Sequence, residues 1–353
     1  MLDTAVRLYR ALVLGRVPNY VIAFVTGRCN MNCTFCCSAA RTLRGVDELS
    51  PSQWGTALAG SDALVHLTIT GGEPFLRDDL LDVISCMVRS SGVPRLSINS
   101  NGYFPGRTAE VLEEILTRFP HLETCLTISL DGPRAVHDRL RGVPDGFDRA
   151  RATVDAVAPL RRRHEGFTVR LTSVLQPGNA EVLGGFQEET AAWPIDFHEL
   201  ALVRDVAPEV QRSLAGVYAE LTARQLRRAS RRYVQTMDWR LATRLRHQVL
   251  ERLEPTAEPF GCMAGWRMVE VMADGTVRGC ELAQVRSHSV LGRAGVGGVR
   301  VVEVLEDGPA RRFRAVASDC TCTFECALTC STVFSPRAWP GLWFPRRRRR
   351  DRV

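Results

Sequence analysis

Six short runs rich in β-branched and apolar residues recur along the chain: "YVIAFVT" (20–26), "LVHLTIT" (64–70), "RLSIN" (95–99), "TCLTISL" (124–130), "FTVRLTSVL" (167–175) and "DFHELALV" (196–203). Between them lie amphipathic stretches of helical length, such as Arg77 to Arg89, Arg107 to Arg118 and Phe147 to Arg163. Strands alternating with helices imply a parallel sheet, because parallel neighbours need a crossover connection. Six repeats suit an open barrel better than the closed eightfold one. The expected class is α/β: a partial (β/α)6 TIM-like barrel over residues 19–206, behind an N-terminal helix at 1–18.

The pattern then changes. Residues 207–254 are arginine-rich with helical spacing and predict one or two linking helices. Pro255 and Pro259 mark a boundary. The segment 255–335 is short, rich in glycine and cysteine, and carries a hairpin signal in "RMVEVMADGTVRGC", with Asp274-Gly275 at the turn. A small cysteine-rich C-terminal domain is expected there. The tail 336–353, ending "PGLWFPRRRRRDRV", predicts a disordered basic end, with a weak contact to an anionic or membrane surface as the alternative.

With 353 residues, 45% of them hydrophobic, the chain has enough apolar material for a substantial core. No run approaches the eighteen or so apolar residues of a membrane span, and "MLDTAVRLYR" lacks the features of a secretory signal. A soluble, cytoplasmic protein without stable membrane insertion is the expectation. All 46 basic residues are arginine. So complete a replacement points to codon bias, and arginine richness is then weak support for a nucleic-acid partner. The absence of lysine excludes an internal Schiff base, and with it lysine-dependent aminomutase and aldolase chemistry.

Twelve cysteines in a reducing setting point to metal ligands rather than disulfides. Cys86 and Cys125 stand alone and read as small buried residues. In "CNMNCTFCC", Cys29, Cys33 and Cys36 have the spacing C-x3-C-x2-C. Three thiolates on one loop can hold three corners of a cubane iron–sulfur cluster and leave the fourth iron open to a small molecule. A structural zinc using Cys37 as fourth ligand competes, but zinc sites usually pair C-x2-C with a distant second pair. Cys37 itself reads as a bystander, with a redox role as the alternative.

Together with "GGEP" (71–74), "SINSNG" (97–102) and "SLDGPRAVHDRLRGVPDGFDRA" (129–150), the motif "CNMNCTFC" resembles the radical S-adenosylmethionine (radical SAM) superfamily over about residues 20 to 335. Asp131, Asp138, Arg141 and Phe147 stand at the family's steps in the last stretch. Independently of the family, all four segments follow strand ends, on the face where β/α barrels assemble their sites. The resemblance implies a 4Fe–4S cluster on Cys29, Cys33 and Cys36 that binds S-adenosylmethionine. It also implies a cofactor-binding set of Gly71, Gly72, Glu73, Pro74, Asn99, Ser129, Asp131 and Arg141, with Asn101 as an alternative to Asn99. The Gly71–Pro74 turn would hold the amino group. Ser129 and the asparagines would contact ribose or methionyl atoms, and Arg141 the carboxylate. A surface ion pair is the competing reading for Arg141.

Cys262 and Cys280 flank the predicted hairpin, and Cys320, Cys322, Cys326 and Cys330 follow in "CTCTFECALTC". These six resemble the auxiliary-cluster extensions called twitch and SPASM. The full SPASM pattern has seven cysteines and C-x2-C-x5-C-x3-C in its late run, whereas this run is C-x-C-x3-C-x3-C. One auxiliary 4Fe–4S cluster is expected, with two clusters, or zinc or no metal, as the alternatives, and Cys262 and Cys280 are the safest ligands.

The implied reaction is reductive cleavage of S-adenosylmethionine and hydrogen abstraction, with an auxiliary cluster favouring oxidation or cross-linking. The implied partners are a peptide or small-molecule substrate, an external flavodoxin- or ferredoxin-type electron donor, and a separate peptide-presenting protein. About 28 residues before Cys29 leave no expected room for a cobalamin-binding or fused peptide-recognition domain. The rivals are an iron–sulfur electron-transfer or scaffold protein and a nucleic-acid-modifying radical SAM enzyme. No spacing singles out a catalytic acid or base.

Overall fold

All six apolar runs are strands: β1 (Tyr20–Thr26), β2 (His66–Gly71), β3 (Arg95–Ser100), β4 (Glu123–Ser129), β5 (Phe167–Leu175) and β6 (Phe197–Leu202). The computed structural model describes residues 2–36, 45, 47–228, 237–282 and 289–335. Each strand pairs in parallel with the next, and β6 ends the sheet, so the six repeats form a partial barrel that does not close. Cys37, the tail 336–353 and part of the arginine-rich linker lie outside the described residues.

One sheet face is sealed by helices and the other is polar. Along β5, Phe167, Val169, Leu171 and Leu175 are fully buried, while Thr168, Arg170, Thr172 and Val174 between them are half-buried. The same alternation on β3 and β4 turns Ser97, Asn99, Thr127 and Ser129 towards the interior. A closed barrel fills that space with layers of branched apolar side chains. Here hydroxyls and amides line it, leaving room for a polar guest.

Helices cover the outer face, among them Leu80–Ser91, Pro105–Arg118 and Gly146–Arg163. The first begins later than the amphipathic pattern suggests, because Pro74–Leu76 makes a tight 3-10 turn and Arg77 caps it. The Arg77 guanidinium is buried and donates to the carbonyls of Val25 and Leu49, tying β1 to the loop beyond it. Three further helices, Pro51–Leu58, Arg134–Arg141 and Leu183–Thr190, complete the crossovers. Ser50 and Gln53 form a capping box on the first of these, a signal legible in "SPSQ". The N-terminal helix, Leu2–Leu12, is pinned by Arg7, which donates to the carbonyls of Leu64 and Ser91. Of the lone cysteines, Cys125 is buried and Cys86 half-buried.

The linker contains the helices Pro208–Ser213, Ala215–Arg228 and Met237–Leu253. The sheet then resumes. β7 (Met268–Val271) pairs in parallel with β1, and β8 (Thr276–Arg278) and β9 (Val290–Arg293) follow antiparallel, giving the order β6-β5-β4-β3-β2-β1-β7-β8-β9. Gly275 makes the expected turn at φ 85°, where an added Cβ would lie 2.3 Å from the Ala294 carbonyl oxygen. The helix Glu325–Phe334 returns to both lateral barrel strands: Glu325 accepts from the Leu202 amide at 3.1 Å, and Tyr20 donates to Cys326 at 3.6 Å. No described helix is long and apolar enough to cross a membrane.

Ile69 sits at the middle of β2, fully buried. Ile69→Ala is expected to lower the unfolding free energy by about 2–5 kcal/mol, read from urea denaturation against wild type.

Candidate active site

Cys29, Cys33 and Cys36 line one cavity of about 240 Å³ at the C-terminal ends of the barrel strands. Gly71 and Gly72 after β2, Asn99 on β3, Ser129 on β4 and Arg141 line the same cavity. These expected residues therefore come together from five separate segments. Glu73, Pro74 and Asp131 do not line it; all three are buried, and Glu73 and Asp131 position residues that do.

The cysteine loop is held by close backbone contact. The Gly72 and Glu73 amides donate to the carbonyls of Thr26 and Arg28, both at 2.8 Å. A Cβ on Gly71 would lie 2.4 Å from the Thr26 oxygen, and one on Gly72 only 2.1 Å from that of Arg28. The two glycines of "GGEP" thus let the turn meet the chain leading into Cys29, so their first use is inside the protein. On the other side, the Asn32 and Thr34 amides donate to the carbonyls of Arg141 and Leu140, each at 3.0 Å. Asn101 donates to the Asn30 side chain at 2.8 Å.

Glu73 accepts from the Ser100 hydroxyl and from the amides of Phe75 and Asn101, so it clamps the end of β3 to the turn. Burial pushes its carboxyl up to about 7 against the pull of those donors. Asp131 accepts from Arg141 Nε at 2.6 Å and from the Val174 amide at 2.8 Å. Its own amide donates to His137 Nδ1. Held this way, Arg141 lies over the Phe35 ring at 5.1 Å and its Nη1 is 3.7 Å from Cys33 Sγ. The ion pair of Arg141 is therefore buried, not a surface one.

Three thiols in one cavity, with a guanidinium beside one of them, fit an anionic iron–sulfur cluster. Among the described residues no three Cys, His, Asp or Glu side chains converge to hold a single metal ion, a convergence that a cubane with ligands at separate corners does not need. Arg204, just past β6, also lines the cavity and was not singled out in the sequence. It pairs with Glu281 and, at 3.6 Å, with Glu325, and lies 4.4 Å over the Phe324 ring. Its position after the sixth strand of a β/α barrel was the available signal.

Glu281 and Glu325 each precede or follow one of the C-terminal cysteines in sequence, so Arg204 joins the cavity wall to that segment. The six C-terminal thiols lie close enough to sense one another. Burial pushes Cys262 up to about 11, with the charge of Cys320 adding to it. Cys330 is raised by burial and then by Cys262 and Cys326, and Cys280 feels Cys262. A hydrogen bond from Cys322 draws Cys320 down to about 7.

Two outcomes are expected. Gly72→Ala should dislodge the cysteine loop and lower reconstituted iron by up to about four per chain; Gly106→Ala, where an added Cβ meets nothing within 4 Å, is the control. His137 is held down to about 3, first by burial and then by Arg141, from an ordinary value of 6.5. Between those values the unfolded chain binds a proton that the folded chain refuses, so stability falls as pH drops from 6.5 towards 3. Unfolding free energies measured across that window should show a shallower slope for His137→Gln.

Residues 24–179 match the sequence profile of the radical SAM superfamily. A probable GTP 3′,8-cyclase of Metallosphaera sedula is 28% identical over 75% of this chain and 81% of its own length. The sporulation killing factor maturation protein SkfB of Bacillus subtilis is 25% identical over 76% of this chain, and the match spans 61% of SkfB. Streptococcus suis SuiB, solved with S-adenosylmethionine, shares the fold with a TM-score of 0.60 at 16% identity, over 85% of this chain and 68% of its own. Residues 24–179 are thus a radical SAM domain, and the relatives that share it are enzymes.

Proposed function

We propose that this chain is a radical SAM oxidoreductase acting on a peptide. The observation that carries the reading is the single cavity shared by Cys29, Cys33, Cys36, Asn99, Ser129 and Arg141. In it the three cysteines hold a 4Fe–4S cluster and Arg141 faces the carboxylate of S-adenosylmethionine. Asn99 and Ser129 offer hydrogen bonds from the cavity wall to its polar atoms. When bound, the cluster supplies the electron that cleaves S-adenosylmethionine to methionine and a 5′-deoxyadenosyl radical, the species that takes hydrogen from a C–H bond. The chain's own work is to hold substrate against that cavity and keep water from it.

A peptide substrate is supported by SkfB, named as a maturation protein, and by SuiB, also solved with its precursor peptide SuiA. The polar interior and the charged wall at Arg204 suit a peptide's amides and side chains. A small polar metabolite is the second reading, favoured by the GTP 3′,8-cyclase relative. In this reading the six C-terminal cysteines would hold one auxiliary 4Fe–4S cluster, with Cys262 and Cys280 among its ligands, and the cluster would supply an acceptor for the electron of the substrate radical. A flavodoxin- or ferredoxin-type donor supplies the first electron, and a separate protein presents the peptide.

The test is anaerobic reconstitution of wild type and of the triple variant Cys29/Cys33/Cys36→Ala, with iron and sulfide counts. Dithionite and S-adenosylmethionine are then added and 5′-deoxyadenosine is measured. Formation in wild type alone, with about four irons kept by the variant, supports a radical enzyme with one auxiliary cluster. A fully loaded first site without cleavage would favour an electron carrier or scaffold.

A further inference from the structure

The N-terminal helix, Leu2–Leu12, turns Arg7 and Ala11 into the protein. On its other side Val6, Tyr9 and Val13 recur at the spacing of one helical stripe and are 41%, 56% and 65% exposed, with Leu14 beside them at 53%. Four of the nine large apolar side chains exposed among the described residues fall within this one stretch. Scattered single apolar residues are ordinary on a surface, whereas a contiguous stripe marks a contact. Arg10 and Arg16 flank it and share one carboxylate, that of Asp62.

The last helix ends at the same corner of the fold. Arg267 donates to the Ala11 carbonyl at 3.0 Å, and its guanidinium lies 5.2 Å over the ring of Phe334, the final residue of that helix. The sequence then continues "SPRAWPGLWFPRRRRRDRV", with Trp339, Trp343 and Phe344 ahead of Arg346 to Arg350. Arg346 is 12 residues beyond Phe334, a reach of about 40 Å at full extension, so the arginines can lie beside the exposed stripe. Arg7 donates to the carbonyls of Leu64, ahead of β2, and Ser91, ahead of β3. The helix therefore sits at the N-terminal end of the barrel, and the cavity opens at the other.

We propose that the N-terminal helix and the arginine tail together bind the surface of an anionic lipid bilayer. A single apolar or basic signal holds a protein to a bilayer only weakly, and two in one chain reinforce each other. Tyrosine and tryptophan rings favour the headgroup level, and each arginine held near anionic lipid adds attraction. A second copy seated on the stripe would bring two arginine tails together, against their repulsion. A nucleic acid would use the arginines and leave the stripe uncovered. The contact is peripheral, since no described helix is long and apolar enough to cross a membrane. It leaves the cavity facing away from the lipid and open to substrate.

The test is flotation of the full chain with vesicles of phosphatidylcholine alone or mixed with phosphatidylglycerol. Wild type should float with the mixed vesicles, and added salt or omission of the anionic lipid should weaken binding by about tenfold or more. A Tyr9→Asp/Val13→Asp variant, and one with Arg346 to Arg350 each changed to glutamine, should separately weaken it by a similar factor. Both variants should unfold in urea as wild type does, which separates a lost surface from a lost fold. No flotation of wild type, or undiminished flotation of either variant, overturns the proposal. Light scattering and RNA mobility shifts run alongside. A dimer dissolved by the aspartates, or an RNA complex lost with the arginines, in a chain that does not float, gives the surface to a second copy or to nucleic acid and overturns the proposal as well.

Discussion

The site depends on the contact between two backbones. The Gly71–Gly72 turn and the stretch from Thr26 to Arg28 approach so closely that no side chain fits between them. Their amide-to-carbonyl bonds hold the root of the cysteine loop to the end of β2. The far side of the loop is held by the end of the helix Arg134–Arg141. Three thiols are thereby presented at a fixed place, and the same anchoring residues bring Arg141 to Cys33. A cluster site gains from this, because a loop anchored beforehand does not have to be ordered when its ligand binds.

Around it, polar groups work in relays. Glu73 holds β3 to the turn, Asp131 aims Arg141, and His137 accepts from the Asp131 amide. None of Glu73, Asp131 and His137 lines the cavity, although the motifs that contain them flank residues that do. A motif in sequence mixes residues that face a ligand with residues that hold the others in place. Only the side-chain directions separate the two classes.

That explains what the sequence could and could not tell. The six strands were legible because apolar runs of this length between helical patterns have few other uses, and the cysteine spacing marked the loop. The start of the helix at Leu80 was not legible, since the amphipathic pattern runs through Arg77 while a 3-10 turn interrupts the backbone. The reach of the sheet beyond the barrel was not legible either, because "RMVEV" has the pattern of a hairpin strand whether or not it also pairs with β1. Arg204 has no motif, and its role comes from the fold bringing the end of β6 against Glu281 and Glu325.

The return of the helix Glu325–Phe334 to the barrel has a consequence for assembly. The contact between Tyr20 and Cys326 spans 306 residues of chain. Contacts so distant in sequence form late, because a long loop must close first. During synthesis the first cysteine loop, its glycine anchor and every residue that lines the cavity emerge before this contact can form. The cavity is thus laid down within the first 204 residues, and the C-terminal segment docks onto a barrel whose site is already in place.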